Sequence, residues 1–159
     1  MGHSFGGFVL TKYIAEKGNT TADKFLIMAS RLEMQLEVAT NFSKSNPYYF
    51  LNGTTPTQEN RPDILEDYNE IKKSCPSIFS LLGAMGTERF TNTISSNNLS
   101  NVIYVFAKDD EQTGGLLTSE KKFLTNKKTK IIEIPTGGHS VMFDDTYPKM
   151  IVDYLLSKK

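Results

Sequence analysis

Short unbroken apolar runs alternate along this chain with stretches whose apolar residues recur every three or four positions. From Phe5 to Lys17, Phe8, Val9, Leu10, Tyr13 and Ile14 follow helical spacing, and Gly18 supplies a C-terminal stop. Phe25–Ser30, after a Gly-Asn-Thr-Thr turn, is continuously apolar and reads as a strand buried on both faces. Asn101–Ala107, with Val102, Ile103, Tyr104, Val105 and Phe106, is a second such strand, and Lys130–Pro135 a third. Between these two, Leu116, Leu117, Phe123 and Leu124 predict a helix capped by Thr118 or Ser119 if it begins late. A last helix starts near Asp144, Asp145 and Thr146, has Pro148 in its first turn, and turns Met150, Ile151, Tyr154 and Leu155 to one face. Alternating strands and helices imply parallel strands joined by crossover helices, so the fold class is α/β.

From about Arg31 to Asn98 the rhythm breaks. The stretch is too long for a connection between neighbouring elements and has apolar periodicity of its own, so it reads as an insertion. The predicted division is a core of 1–30 and 99–159 with an inserted unit of 31–98. Ile64, Leu65, Tyr68 and Ile71 form one helical stripe; Ile78, Phe79, Leu81 and Leu82 form another after Pro76. Asn46-Pro47-Tyr48-Tyr49-Phe50 is an aromatic patch in a loop, where packing of the insertion on the core is favoured over the lining of an acyl pocket.

Composition narrows the function. With 18 basic and 18 acidic residues among 159, no basic field exists to hold nucleic acid or anionic lipid, which leaves a small or neutral molecule as the expected partner. Cys75 is the one cysteine, so an internal disulfide and a cysteine metal site are excluded; it fits a reducing compartment, and a cytoplasmic location is expected. Standing before Pro76 with no adjacent histidine, Cys75 reads as a spectator rather than a nucleophile. No apolar run approaches the roughly twenty residues of a membrane span, and no charged start followed by an apolar stretch marks a signal peptide.

The chemistry begins at Gly2-His3-Ser4-Phe5-Gly6-Gly7, a G-x-S-x-G elbow. Small residues around the serine let the backbone turn sharply and lift the hydroxyl above a sheet edge, at the start of the following helix. Only Met1, Gly2 and His3 precede Ser4, fewer than the about five residues of an ordinary strand, so no strand is expected to deliver it. A serine needs a neutral imidazole to take its proton and a carboxylate to orient that imidazole. His3 adjoins Ser4 around a sharp turn and reads as packing or elbow support. His139, in Thr136-Gly137-Gly138-His139-Ser140 just after the third strand, is the candidate base. Ala107-Lys108-Asp109-Asp110-Glu111, after the second strand, offers three carboxylates, and with Asp110 the order is Ser, Asp, His. Two distant histidines and scattered acids lack ligand spacing, so neither metal nor cofactor is implied.

These motifs resemble the C-terminal half of an α/β-hydrolase of the serine aminopeptidase and monoacylglycerol lipase-like group. Gly2–Gly7 is similar to the group's G-H-S-x-G-G elbow, Ala107-Lys108-Asp109-Asp110 to its G-x-x-D with alanine for the glycine, and Gly137-Gly138-His139 to its histidine loop. The resemblance makes Asp110 the acid by position and Asp109 the alternative, places a cap at Arg31–Asn98, and makes the three apolar runs the last three parallel strands of a partial fold, its first five strands absent. The Phe5 N–H would be one oxyanion donor; the second, from a loop after the third strand of the fold, lies outside the chain. Losing one such donor costs about 2.7–4 kcal/mol in a known serine hydrolase. The strand at Phe25 is expected to become an exposed apolar edge, pairing with a second copy of the chain, aggregating, or depending on a missing partner segment. The function so read is hydrolysis of carboxylic esters of apolar acyl groups by a Ser4-Asp110-His139 triad, impaired by truncation, with peptide or amide cleavage also open to the same triad. The alternative is a non-catalytic remnant, or truncated reading frame, acting at most as an interaction module.

Overall fold

The computed structural model describes residues 1–157 apart from 45, 47 and 58–61, and of residues 62–65 and 67 it describes the backbone alone. In chain order the elements are β1 (Gly2–His3), α1 (Phe5–Lys17), β2 (Phe25–Met28), α2 (Leu36–Ser43), β3 (Tyr49–Leu51), β4 (Thr55–Thr57), α3 (Pro62–Ser74), α4 (Ile78–Met85), α5 (Phe90–Thr93), β5 (Val102–Ala107), α6 (Thr118–Asn126), β6 (Lys130–Ile134) and α7 (Tyr147–Leu156), with a short 3₁₀ turn at Val141–Phe143.

The main sheet is parallel, in the order β1-β2-β5-β6. Its central strands are buried on both faces, and their side chains divide by parity. Phe25 and Ile27 of β2, with Val102, Tyr104 and Phe106 of β5, join Phe8 and Ile14 of α1, Leu124 of α6 and many residues of segment 31–98 in one core. Leu26 and Met28, with Ile103, Val105 and Ala107, join Ile134, Val141, Met142 and Ile151 of α7 in the other. That two-sided burial is why these strands are unbroken apolar runs instead of alternating ones.

Two expectations about the sheet are corrected. Among the described residues it has four strands, not three: Gly2 pairs with Ile27 and His3 with Met28, and the Ser4 N–H continues the ladder to the Met28 carbonyl at 2.9 Å. A parallel bridge needs only the hydrogen bonds of a residue or two, so a segment too short for an ordinary strand still delivers the serine. Nor are the side chains of β2 an exposed apolar edge, since Phe25 is the most exposed of the four at 5% and α1 and α7 cover the two faces; β1 takes the edge position.

The helices differ in detail from their predicted faces. Phe8 and Ile14 of α1 are buried, but Val9 and Tyr13 face solvent, while Thr11 turns inward and its hydroxyl meets the Tyr104 hydroxyl at 2.8 Å. The start of α6 is held by Glu120, whose Oε2 accepts from the Leu117 N–H at 2.6 Å, rather than by Thr118 or Ser119. On α7 Ile151 is buried and Met150 is exposed.

Within 31–98, α2 packs on α4, and β3 and β4 form an antiparallel hairpin, so Tyr49 and Phe50 lie on a strand and not in a loop. Tyr48, Tyr49 and Phe50 are buried, whereas Pro47 lies outside the described residues. Phe42 of α2, Tyr68 of α3 and Phe79 of α4 stack with centroids 5.6–6.2 Å apart. Of the stripe expected on α3, Tyr68 and Ile71 are described; the side chains of Ile64 and Leu65 lie outside the described residues. Among the described residues no helix is long and apolar enough to cross a membrane.

Candidate active site

Ser4, Asp110 and His139 follow the C-terminal ends of β1, β5 and β6, the end of a parallel sheet where ligands bind in open α/β folds. Ser4 sits between β1 and α1 with φ 53° and ψ −122°, a left-handed conformation that L residues avoid and that stores strain in the turn. Close approach dictates the flanking glycines. A Cβ on Gly2 would stand 2.2 Å from the Gly6 carbonyl oxygen, and one on Gly7 would stand 2.5 Å from the Ser30 Cβ, while around Gly6 the space is open. The Phe5 N–H, in the first turn of α1, has no acceptor among the described residues, so it is free for a ligand oxygen.

Asp110 is fully buried. It accepts from the Gln112 and Thr113 N–H groups at 2.9 and 2.8 Å and from the Thr113 hydroxyl at 2.9 Å. His139 Nδ1 lies 3.0 and 2.9 Å from its two oxygens. Burial by itself would raise this carboxyl, but the imidazole hydrogen bond, the charge His139 can carry and the Thr113 donors outweigh it and hold Asp110 below its ordinary value. Nδ1 bonded to a carboxylate leaves Nε2 of His139 as the nitrogen able to take a proton.

The neighbouring acids have other partners. Asp109, the alternative acid, accepts from the Gly137 and Gly138 N–H groups at 3.0 Å each, and Glu111 accepts from the His139 N–H at 3.0 Å. His3 is not the partner of Ser4; its Nε2 reaches the His139 carbonyl at 3.1 Å, and its ring packs 4.8 Å from the rings of both His139 and Phe143. Burial lowers the basicity of His3. Among the described residues no hydrogen bond joins the Ser4 hydroxyl to His139. Cys75 is exposed.

Ser4 and Phe5 open onto a pocket with about 690 Å³ of empty space, part of it continuous with solvent. Its walls include Phe8 of α1, Met34, Val38, Phe42, Tyr68, Phe79 and Leu82 of segment 31–98, Phe50 of β3, and Gln112 and Thr113 beside Asp110. His139 and Asp110 are not in the lining. Among the described residues the one charged wall residue is Arg31, buried, whose Nε meets Glu120 Oε2 at 3.3 Å while Nη1 and Nη2 have no partner there. The sequence pattern named neither Arg31 nor Thr113. The tendency of an aspartate to bond the backbone just after it could have flagged a turn at 110–113; nothing local marks the Thr113 hydroxyl or Arg31. Among the described residues no cluster of three or more histidine, cysteine or acidic side chains could hold a metal.

No family model matches the chain, and no curated protein does. Solved structures do. A thermophilic esterase superposes with a TM-score of 0.55 at 12% identity over 97% of this chain and 64% of its own. An alpha/beta hydrolase enzyme from a Medee basin deep-sea metagenome library matches with a TM-score of 0.51 at 13% identity over 99% of this chain and 64% of its own. An esterase from Exiguobacterium antarcticum gives 0.52 at 15% identity, with 98% and 65% covered. At such identities the likeness is one of fold: this chain has a partial α/β-hydrolase fold that spans somewhat less than two thirds of those structures' length.

Proposed function

We propose that the protein is a serine hydrolase of carboxylic esters with apolar acyl groups. The observation that carries this reading is the buried Asp110–His139 pair at 2.9 Å, set at the same end of the sheet as a serine on a strained turn that lines an apolar pocket. In it, Ser4 Oγ attacks the ester carbonyl carbon while His139 Nε2 takes the hydroxyl proton. The Phe5 N–H faces the developing oxyanion. Collapse breaks the carbon–oxygen bond, His139 returns the proton to the leaving alcohol, and water repeats the cycle on the acyl-enzyme. Asp110 stays ionised, orients the ring and stabilises the imidazolium. Segment 31–98 acts as the cap, its aromatic trio and Phe50 enclosing the acyl chain. Descriptions of esterases among proteins sharing the fold support this choice of ester over amide.

The absence of a Ser4–His139 hydrogen bond among the described residues favours a second reading, a non-catalytic chain that acts at most as an interaction module. Incubation with a fluorophosphonate probe separates the two. An intact-mass adduct lost in Ser4→Ala is the expected outcome; no adduct on a folded chain gives the lead to the second reading.

A further inference from the structure

The peptide groups on either side of the His139 Cα are both gripped by side chains outside the Ser4-Asp110-His139 set. Ahead of it, the N–H donates to Glu111 Oε2 at 3.0 Å; behind it, the C=O accepts from His3 Nε2 at 3.1 Å. A carbonyl oxygen can only accept, so His3 Nε2 carries the hydrogen. Each gripping residue is itself anchored. His3 belongs to β1, pairs with Met28, and sets its ring edge-on to Phe143 at 4.8 Å. The Glu111 carbonyl accepts from the Phe50 N–H of β3 at 2.8 Å, which ties it to the insertion. The loop that carries His139 has little stiffness of its own, because Gly137 and Gly138 both precede it at positive φ, 125° and 72°.

We propose that His3 and Glu111 are positioning residues that clamp the main chain of His139, an inference that rests on His139 being the base of the proposed hydrolase. Asp110 fixes the direction of the imidazole, but a ring bonded only at Nδ1 can still shift with its backbone. The clamp removes that shift from both sides. His3 also adjoins Ser4 covalently, so one hydrogen bond sets the base in register with the nucleophile. It gives the first histidine a role that does not compete for the serine's proton.

The test uses the full chain. His3→Phe keeps an aromatic ring against Phe143 and deletes the donor, while His3→Gln keeps a donor; Glu111→Ala deletes the acceptor and Glu111→Gln keeps one. Rates are read with a short-chain p-nitrophenyl ester. In parallel the imidazole ¹H–¹⁵N signals are read, which is simple in a chain with 2 histidines. His3→Phe and Glu111→Ala are each expected to lower kcat about tenfold to a hundredfold with KM within about twofold, as for a misplacement of roughly an ångström, and both glutamine variants to restore most of it. The His139 ring signals broaden or move in the deleting variants and return in the conservative ones. Folded deleting variants with wild-type kcat and an unchanged His139 spectrum overturn the proposal, as does a fall in thermal midpoint alone. If one deleting variant does not fold, the other decides. If the wild-type chain neither turns over ester nor takes the fluorophosphonate, the hydrolase reading fails by itself. The imidazole spectra then judge the clamp alone, and unchanged His139 signals refute it.

Discussion

His3 is half buried between His139 and Phe143, and burial is the largest cause that favours its neutral form, with the nearby His139 adding to it; the hydrogen bond to the His139 carbonyl and the Asp110 charge act the other way and are outweighed. A histidine whose folded value lies below its ordinary 6.5 binds fewer protons folded than unfolded. The stability that neutral His3 contributes is therefore complete above that pH and lost as the pH falls through it. Asp110, held below its ordinary 3.8, loses its contribution only further down, as the pH drops below that value. Thermal midpoints followed from pH 7 to about pH 5 should fall more steeply for the wild type than for His3→Gln, a comparison that leaves Asp110 and His139 common to both. The elbow glycines give a second residue-scale expectation. Gly2→Ala and Gly7→Ala should abolish probe labelling or folding, because backbone or a β-carbon occupies the space a methyl group would need, while Gly6→Ala should leave the fold intact. Soluble yield and the thermal midpoint check this.

Elements of this molecule are joined by long-range polar contacts as well as by apolar packing. Glu120 at the start of α6 accepts from the Leu117 N–H at 2.6 Å, from the Glu33 N–H at 2.8 Å, and from Arg31 Nε at 3.3 Å, so a single carboxylate fastens the crossover helix to the point where the chain leaves β2 for segment 31–98. Burial raises its carboxyl in spite of Arg31 and the backbone N–H groups of Leu117, Glu33 and Leu32, a sign that desolvation outweighs the attraction. Glu120→Ala should cost about 3–5 kcal/mol in urea unfolding, since it leaves the Arg31 guanidinium buried and unpaired. Joint replacement by Arg31→Met and Glu120→Leu should be more stable than Glu120→Ala alone; a double variant no better than the single would show that the pair stabilises beyond its desolvation cost. The β3–β4 hairpin is fastened similarly, by Phe50 N–H to the Glu111 carbonyl and Gly115 N–H to the Gly53 carbonyl, both 2.8 Å.

On the scale of the whole molecule, the sheet supplies the Ser4 and His139 positions and segment 31–98 supplies much of the apolar wall around Ser4. If that wall binds acyl chains, Leu82→Phe should lower kcat/KM for an octanoyl ester relative to an acetyl ester by about tenfold, the scale on which methylene-sized changes in an apolar pocket discriminate. An unchanged ratio would place the acyl group elsewhere. Much of this architecture was legible in the sequence: α1 from Phe5 to Lys17 and β5 from Val102 to Ala107 fall where the periodicity put them, and β6 ends one residue short of the expected Pro135. Buried strands and amphipathic helices are legible because local pattern reflects which faces are covered. Ser4, Asp110 and His139 could be named as candidates because each stands in a short loop directly after a strand or at a helix start. What local pattern could not resolve was contact between distant segments. Gly2–His3 is a strand only because β2 lies beside it, and Tyr49–Leu51 only because of Thr55–Thr57. Local pattern does not separate Asp109, Asp110 and Glu111, and only the resemblance put Asp110 ahead of Asp109; the closing of the 137–139 loop over them gives Asp109 the glycine amides, Asp110 the imidazole and Glu111 the His139 N–H. Sequence by itself determined the α/β class and the candidate chemistry, because both are written in neighbouring residues. The tertiary structure alone decided the partners, the pocket and the clamp on His139, because a hydrogen bond between residues 136 apart in sequence is specified only when the chain has folded.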